Sequence, residues 1–325
     1  MALPTITKTL DDLHSSTWEK VSKNVVDNIF DEVVVLNMLK KRGKLVDHSG
    51  DGVKYIVPLE YGENKTVTSI GRGSSISIED NEKFTAAQYD RKWTAGSVIR
   101  YMTDEDMNMG EARIFNLVEK NIKNLEKSLK KKLNTDLMGD GTGNGGLDLD
   151  GFKLYIDTTP ATGTVGGIDS ATNSWWRNHA TNMTGQDYTV TLIDQMRTMF
   201  NNCSSDGGAD APNLIITTQA IHEYYEDELF DTHYYTQSNE LADAGISTCN
   251  FKGVPMIWTS GCDDYYMYFI NLDYFEAGYN PNKWFTMTDW KSAQANLERV
   301  AQVVSEMNLI CSNRDKQGIL YNIGN

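Results

Sequence analysis

His222 and Glu223 stand side by side in "AIHEYYED", the opening of a zinc-protease helix word. Such a helix needs a second histidine four residues after the first, and this chain has Glu226 there, so the metalloprotease reading fails on its third ligand. His14, His48, His179 and His233 are scattered, and Cys203, Cys249, Cys262 and Cys311 lie far apart with no C-x-x-C pair. That spacing argues against a zinc knuckle or a secreted disulfide framework and reads as isolated, reduced thiols, with no metal and no cofactor expected. The acid pairs Glu226/Glu228 and Asp263/Asp264 have the chemistry of a general acid and base, which keeps a carboxylate-dependent hydrolase as an alternative, although neighbouring surface charges are the commoner meaning of such pairs. Gly141 to Gly146, in "GDGTGNGGLDLDG", form a G-x-G-x-x-G, but a helical pattern precedes it and strand-like "GFKLYID" follows, the reverse of a dinucleotide site. Asp140, Asp148 and Asp150 in this loop do not have EF-hand spacing. "GRGSS" around Ser74 is not a nucleophile elbow, and no P-loop occurs. The expectation is that the chain is not an enzyme.

Two other groups of residues call for an explanation. In "GGIDSATNSWWRN", Trp175 and Trp176 are adjacent, so both cannot point into one small core, and with Arg177 they raise the question of what large surface is covered there. The second group is basic: Arg113 to Lys132 holds seven basic and two acidic side chains in a chain of net charge −15. Residues 201–325 carry 17 acidic and 6 basic side chains, so the acidity is concentrated in the second part. Such a balance discourages adsorption to nucleic acid or anionic lipid, and a sequence-independent DNA-binding protein that uses these lysines is the weaker of two alternatives.

The chain has 325 residues, 40% apolar, with 26 Gly and 6 Pro, an ordinary globular composition. No apolar run approaches a membrane span, and "MALPTITKTLDDLHSS" lacks the flank of a signal peptide, so a cytoplasmic site of synthesis is expected.

The elements that would position these residues follow from periodicity. Residues 16–43 form a capped helix with Trp18, Val21, Val25, Ile29, Val33 and Leu36 on one stripe, breaking near Val33–Val35, after an extended arm. Residues 52–101 read as a long two-stranded hairpin with flanks "GVKYIVPLEY" and "FTAAQYDRKWTAGSVIRY". Its tip, Glu63 to Glu82, offers only Val67, Ile70, Ile76 and Ile78 as apolar side chains and needs a partner surface. Residues 103–138 predict a long helix with a stripe through Ile114, Leu117, Val118, Ile122, Leu125, Leu129, Leu133 and Leu137, suited to lying across a sheet. After the 139–151 turn, helices and strands alternate: a helix over Tyr188–Cys203, a buried strand running into a helix in "PNLIITTQAIHEYYEDEL" with Thr217 or Thr218 as cap, and further strands to the terminal "GILYNI". The class is α+β.

Arm, hairpin, lone long helix and alternating segment, in this order, together with "GGIDSATNSWWRN", "APNLIITTQAIHEYYED" and the C-terminal "WKSAQANLERVAQVVSEMNLICSNRDKQGILYNI", resemble the major capsid protein of tailed bacteriophages, with the Hong Kong 97-type fold. The resemblance implies an N-arm with helix (1–45), an E-loop (46–102), a peripheral domain (103–185) that includes the spine helix (103–138), an axial domain (186–277) and a return to the peripheral domain (278–325). It implies a structural protein that self-assembles as pentamers and hexamers into an icosahedral shell round a double-stranded DNA genome, found in the virion and, during assembly, in the host cytoplasm. Expected partners are other copies of itself, a separate scaffolding protein, a portal, decoration or tail-connector proteins, and weak non-specific contact with packaged DNA, with no membrane. On this reading Trp18, Val25, Ile29, Lys65, Arg72, Trp175, Trp176 and Arg177 are subunit-interface residues, and Lys65 near the hairpin tip has the chemistry for an isopeptide cross-link. An internal core position for one of the tryptophans fits the sequence equally. Lys123, Lys127, Lys130 and Lys131 are expected to face the lumen; pairing with acids of adjacent subunits is an equal alternative.

Overall fold

A computed structural model describes residues 33–50, 52–76, 78–79, 82–101, 111–232, 249–292 and 298–324. Trp18, Val25 and Ile29 lie outside them. Helix α1, Val34–Lys41, begins after Val33 and buries Val35, Leu36, Met38 and Leu39; of the helix expected over 16–43, residues 16–32 lie outside the described ones. Helix α2, Glu111–Leu137, is the long one, about 40 Å of helix at ~1.5 Å per residue. Leu125, Leu129, Leu133 and Leu137 form its buried stripe. Burial of each such leucine contributes about 1.5–3 kcal/mol, which is why the helix is fixed over 125–137 rather than at one point.

The first sheet has six strands built on the 14-residue strand β15, Glu298–Cys311. β4, Trp93–Tyr101, runs antiparallel to its first part, from Glu298↔Tyr101 to Glu306↔Trp93. β12, Phe275–Tyr279, pairs with its second part and in turn takes β1, Leu45–Asp47, in parallel. The short strands β13, Thr286–Met287, and β14, Lys291–Ser292, complete it. α2 lies over β4 at Gly96, where a Cβ would stand 2.4 Å from a Leu125 methyl; glycine is what lets helix and strand approach this closely.

The second sheet has the order β7-β16-β11-β8-β10-β9, from His179–Asn182, Gly318–Tyr321, Met267–Ile270, Leu214–Thr217, Val254–Trp258 and Cys249–Phe251. Ile215, Met256, Met267, Phe269 and Leu320 pack on α3, Tyr188–Asn202, and α4, Gln219–Thr232. Leu214, Ile216, Ile257, Tyr268, Ile270 and Ile319 face the other way and join the core that holds the α2 leucines and β15. A sheet buried on both faces needs continuous apolar strands, which accounts for "LIIT" and "MYFI".

One expectation about chain path changes here. "FTAAQYDRKWTAGSVIRY" is two strands: β3, Phe84–Asp90, pairs with β2, Lys54–Glu60, while β4 leaves the hairpin for β15. Gly318–Tyr321 lies inside the second sheet, between β7 and β11, with Ile319 and Leu320 on its two faces. Between β2 and β3, residues 61–83 form no strand where they are described.

Candidate subunit interface

The hairpin has one clothed face and one bare one. Tyr55, Leu59, Ala87 and Tyr89 alternate inward and are buried. Val53, Ile56 and Phe84 are exposed, Phe84 at 70%. Further out, Val67, Ile70, Ile76 and Ile78 are exposed as well, Ile78 at 98%. The hydrogen bonds there are local, Asn64 with Thr66 and Gly71 with Ser74. Lys65 and Arg72 are exposed on the same stretch.

At the other end the hairpin is tied down. Arg91 Nη1 donates to Glu306 Oε1 at 2.6 Å, its Nη2 donates to the His48 carbonyl at 2.7 Å, and Asn280 donates to the second Glu306 oxygen at 2.9 Å. Both members of this ion pair are largely removed from water, and Glu306 is fully buried. The Tyr89 hydroxyl donates to the Cys311 carbonyl at 2.7 Å, and burial pushes its pKa well above that of an ordinary tyrosine, so it remains a donor.

The paired tryptophans divide their work. Trp176 is buried inside the subunit and its Nε1 donates to the Val165 carbonyl at 3.0 Å, so the interface expectation is corrected for it: it is the internal core tryptophan. Trp175 is half-buried and stacks on Tyr61 of the hairpin, with ring centroids 4.9 Å apart and planes 14° from parallel. Both border a groove of about 470 Å³ between Pro58–Tyr61 and Tyr274, Ser312, Asn313 and Asp315. Arg177 bonds the carbonyls of Ser170 and Ala171, each at 2.7 Å, closing its own loop.

Beneath them is Arg314, which the sequence did not single out. It is 1% exposed and donates to the carbonyls of Tyr155 and Trp176, to Ser170 Oγ and to Asn178 Oδ1. Burial lowers its pKa, and the five donors of a guanidinium supply the hydrogen bonds that make the charge tolerable there.

On α2, Lys123, Lys127 and Lys131 are exposed and follow one another at i, i+4 and i+8 on a single face. Lys130 departs from the lumen-facing expectation: it is 8% exposed and pairs with Glu126 at 2.9 Å, because its position lies beside the leucine stripe and not on the outer face. In the 139–151 turn each aspartate has a separate partner: Asp140 takes Thr142, Asp148 takes Lys132 and Asp150 takes Asn308.

The acids of the hydrolase alternative do not converge. Asp263 pairs with Lys153, whereas one Glu226 oxygen lies 3.5 Å from both His222 Nδ1 and Cys249 Sγ. Among the described residues these last three form the one group of side chains placed as metal ligands. Sequence spacing joins His222 to Glu226, but Cys249 reaches them only through the sheet.

No family model matches the sequence, and no curated protein matches it. Solved structures do. The chain is similar to the cyanophage A-1(L) capsid asymmetric unit at 14% identity and a TM-score of 0.66, covering 87% of this chain and 91% of that one. It is similar to the capsid of Myoviridae phage XM1 at 9% identity and a TM-score of 0.58, covering 87% and 91%. The SrpI encapsulin complex of Synechococcus elongatus follows the same path at 11% identity and a TM-score of 0.51, covering 87% of each chain. The likeness covers most of the chain, and the chain has the Hong Kong 97-type fold.

Proposed function

We propose that this chain is the repeating subunit of an icosahedral shell that encloses the double-stranded DNA genome of a tailed phage. The fold it shares with phage capsid chains over most of its length carries the reading. The exposed apolar stretch of the hairpin supports it: side chains such as Ile78 and Phe84 stay in water on one subunit and are covered when a neighbour docks. On this reading copies meet as pentamers and hexamers, the 63–82 tip and Trp175 lie against neighbours, and a separate scaffolding protein and a portal direct closure. Lys123, Lys127 and Lys131 face the lumen, where a few phosphate contacts are tolerated and the acidic remainder keeps the field mild.

Electron microscopy and native mass spectrometry of the expressed full chain, with and without scaffold, test the assembly. Closed particles of megadalton mass are the expected result; a monomer under every condition overturns it. Nuclease-protected double-stranded DNA inside particles then separates a genome shell from a container of another kind, such as the encapsulin architecture that shares the fold.

A further inference from the structure

One constellation is not used by the shell reading. α4 places His222 and Glu226 at i and i+4, so both project from one face of the helix. β9, the edge strand of the second sheet, brings Cys249 against that face. His222 is 4% exposed and Cys249 3%, while Glu226 is half-buried. The Tyr225 hydroxyl donates to the Asn250 carbonyl at 3.0 Å and holds strand and helix together independently of the three side chains.

The spacing suits coordination: the Cys249 thiol is within S–H···O reach of Glu226, but His222 Nδ1 is too far from the same oxygen for a sound N–H···O bond. His222 Nδ1 to Glu226 Oε1 and Glu226 Oε1 to Cys249 Sγ are both 3.5 Å, and all three donor atoms lie within 4.8 Å of one another. A sound N–H···O bond is about 2.7–3.2 Å. Around a tetrahedral ion with bonds of about 2.0 Å to nitrogen, 2.1 Å to oxygen and 2.3 Å to sulfur, adjacent ligand atoms stand roughly 3.4–3.6 Å apart. The other imidazole nitrogen, Nε2, is buried and meets no hydrogen-bonding partner among the described residues. A buried imidazole whose nearest carboxylate is this distant is not accounted for as a hydrogen-bonding group among the described residues.

We propose that His222 Nδ1, a Glu226 carboxylate oxygen and Cys249 Sγ bind a divalent ion of the zinc class, with a fourth position left to water. The mixed nitrogen, oxygen and sulfur set selects zinc or cobalt over magnesium or calcium, which take oxygen ligands. Binding converts the Cys249 thiol to thiolate and releases its proton to solvent. A small rotation of the Cys249 side chain closes the remaining nitrogen–sulfur edge. The ion ties the edge strand β9 to α4, across 23 residues of sequence from Glu226 to Cys249, and so protects the sheet edge from fraying.

The test is titration of the metal-stripped full chain with Co2+ and then Zn2+. One equivalent of Co2+ is expected to give the intense visible bands of a tetrahedral ion with a sulfur-to-metal charge-transfer band, and Zn2+ should displace it. Cys249→Ser should abolish the charge-transfer band, and His222→Gln should weaken binding by at least the ~10–100-fold that loss of an outer-shell partner costs. Cys262→Ser, on a buried thiol outside the cluster, should leave the spectrum intact. X-ray absorption on the zinc-loaded wild-type chain needs no variant to fold and should show one sulfur and one imidazole in the coordination shell. A weak octahedral cobalt spectrum, a band that survives Cys249→Ser, or an all-oxygen shell overturns the site.

Discussion

The two ends of the β2–β3 hairpin differ in what they ask of the subunit. The root is held by the buried Arg91–Glu306 pair, the Tyr89 hydroxyl and, next to it, the Arg314 knot under Trp176. The tip presents Val67, Ile70, Ile76 and Ile78 to water and bonds only to itself where it is described. Residues that hold the chain's own fold together and residues left exposed are therefore separable along one hairpin, and on the shell reading the exposed ones are those a neighbour covers. Changes at the root should read out as stability, and changes at the tip as assembly.

Removal of the tip is the strongest way to break that division. Tyr61 N already donates to the Lys83 carbonyl at 2.9 Å, in register with Glu60↔Phe84, so Gly62 to Glu82 can be replaced by an Asn-Gly turn without moving the strands. Closed shells should be lost altogether, with the subunit's unfolding free energy within about 0.5 kcal/mol of the full chain. Denaturant unfolding and micrographs of the same preparation check both halves. A subunit that fails to fold would place the tip in an internal core.

At the root the order reverses. Arg314→Ala strands two carbonyls and a serine hydroxyl in the interior, each costing about 1–3 kcal/mol when unmet, while the Asn178 oxygen keeps the Asp157 N–H. A total loss of about 3–5 kcal/mol is expected, and Arg314→Lys should not restore it, because an ammonium cannot span four acceptors set for a planar fork. Glu306→Gln keeps the shape but removes the charge facing Arg91, and should cost about 1.5–3 kcal/mol. Urea denaturation measures both, and shells assembled from Glu306→Gln at low temperature should look normal. Malformed shells from a stably folded Glu306→Gln subunit would show that the root, too, serves the interface.

What could be read from the sequence was what repeats locally. The leucine stripe of α2, the alternation of β2 and the Thr218-to-helix start after "LIIT" all carry their signal within a few residues, and so does the shortage of large apolar side chains at the tip. Arg91 meets Glu306 across 215 residues, and Arg314 meets Tyr155 across 159, and no local period marks either. The adjacent tryptophans could not be told apart because the split depends on the turn at Ser174–Trp176, which sends one ring inward and leaves the other beside Tyr61. Lys130 was grouped with its neighbours by charge alone, while helical phase sets it beside Leu129 and Leu133 and against Glu126. Cys249 joins His222 and Glu226 only once β9 is paired with β10.

A small expected effect on the subunit, and the sharpest test of a third surface, belongs to the spine lysines. Lys123, Lys127 and Lys131 are exposed and mutually repulsive at i and i+4. Their joint reversal to glutamate replaces one row of like charges with another, so repulsion within the row, about 0.2–0.5 kcal/mol per pair, is unchanged, while Lys123→Glu brings a like charge three residues from Glu126, and the loss in unfolding free energy should stay below about 1 kcal/mol. The buried Lys130–Glu126 pair is left intact, which keeps the variant from failing for an internal reason. If the row lines the lumen, empty shells should assemble as before and hold DNA less well, with the difference shrinking as salt rises, because contact with phosphate is driven by counterion release. Genome retention measured at low and high salt gives that trend. If the row pairs with acids of an adjacent subunit, reversal places like charges together across an interface and empty shells should fail at low salt, where repulsion is least screened. Assembly at several ionic strengths therefore assigns the row to the lumen or to the interface, and a stable subunit in every case keeps the spine apart from the root.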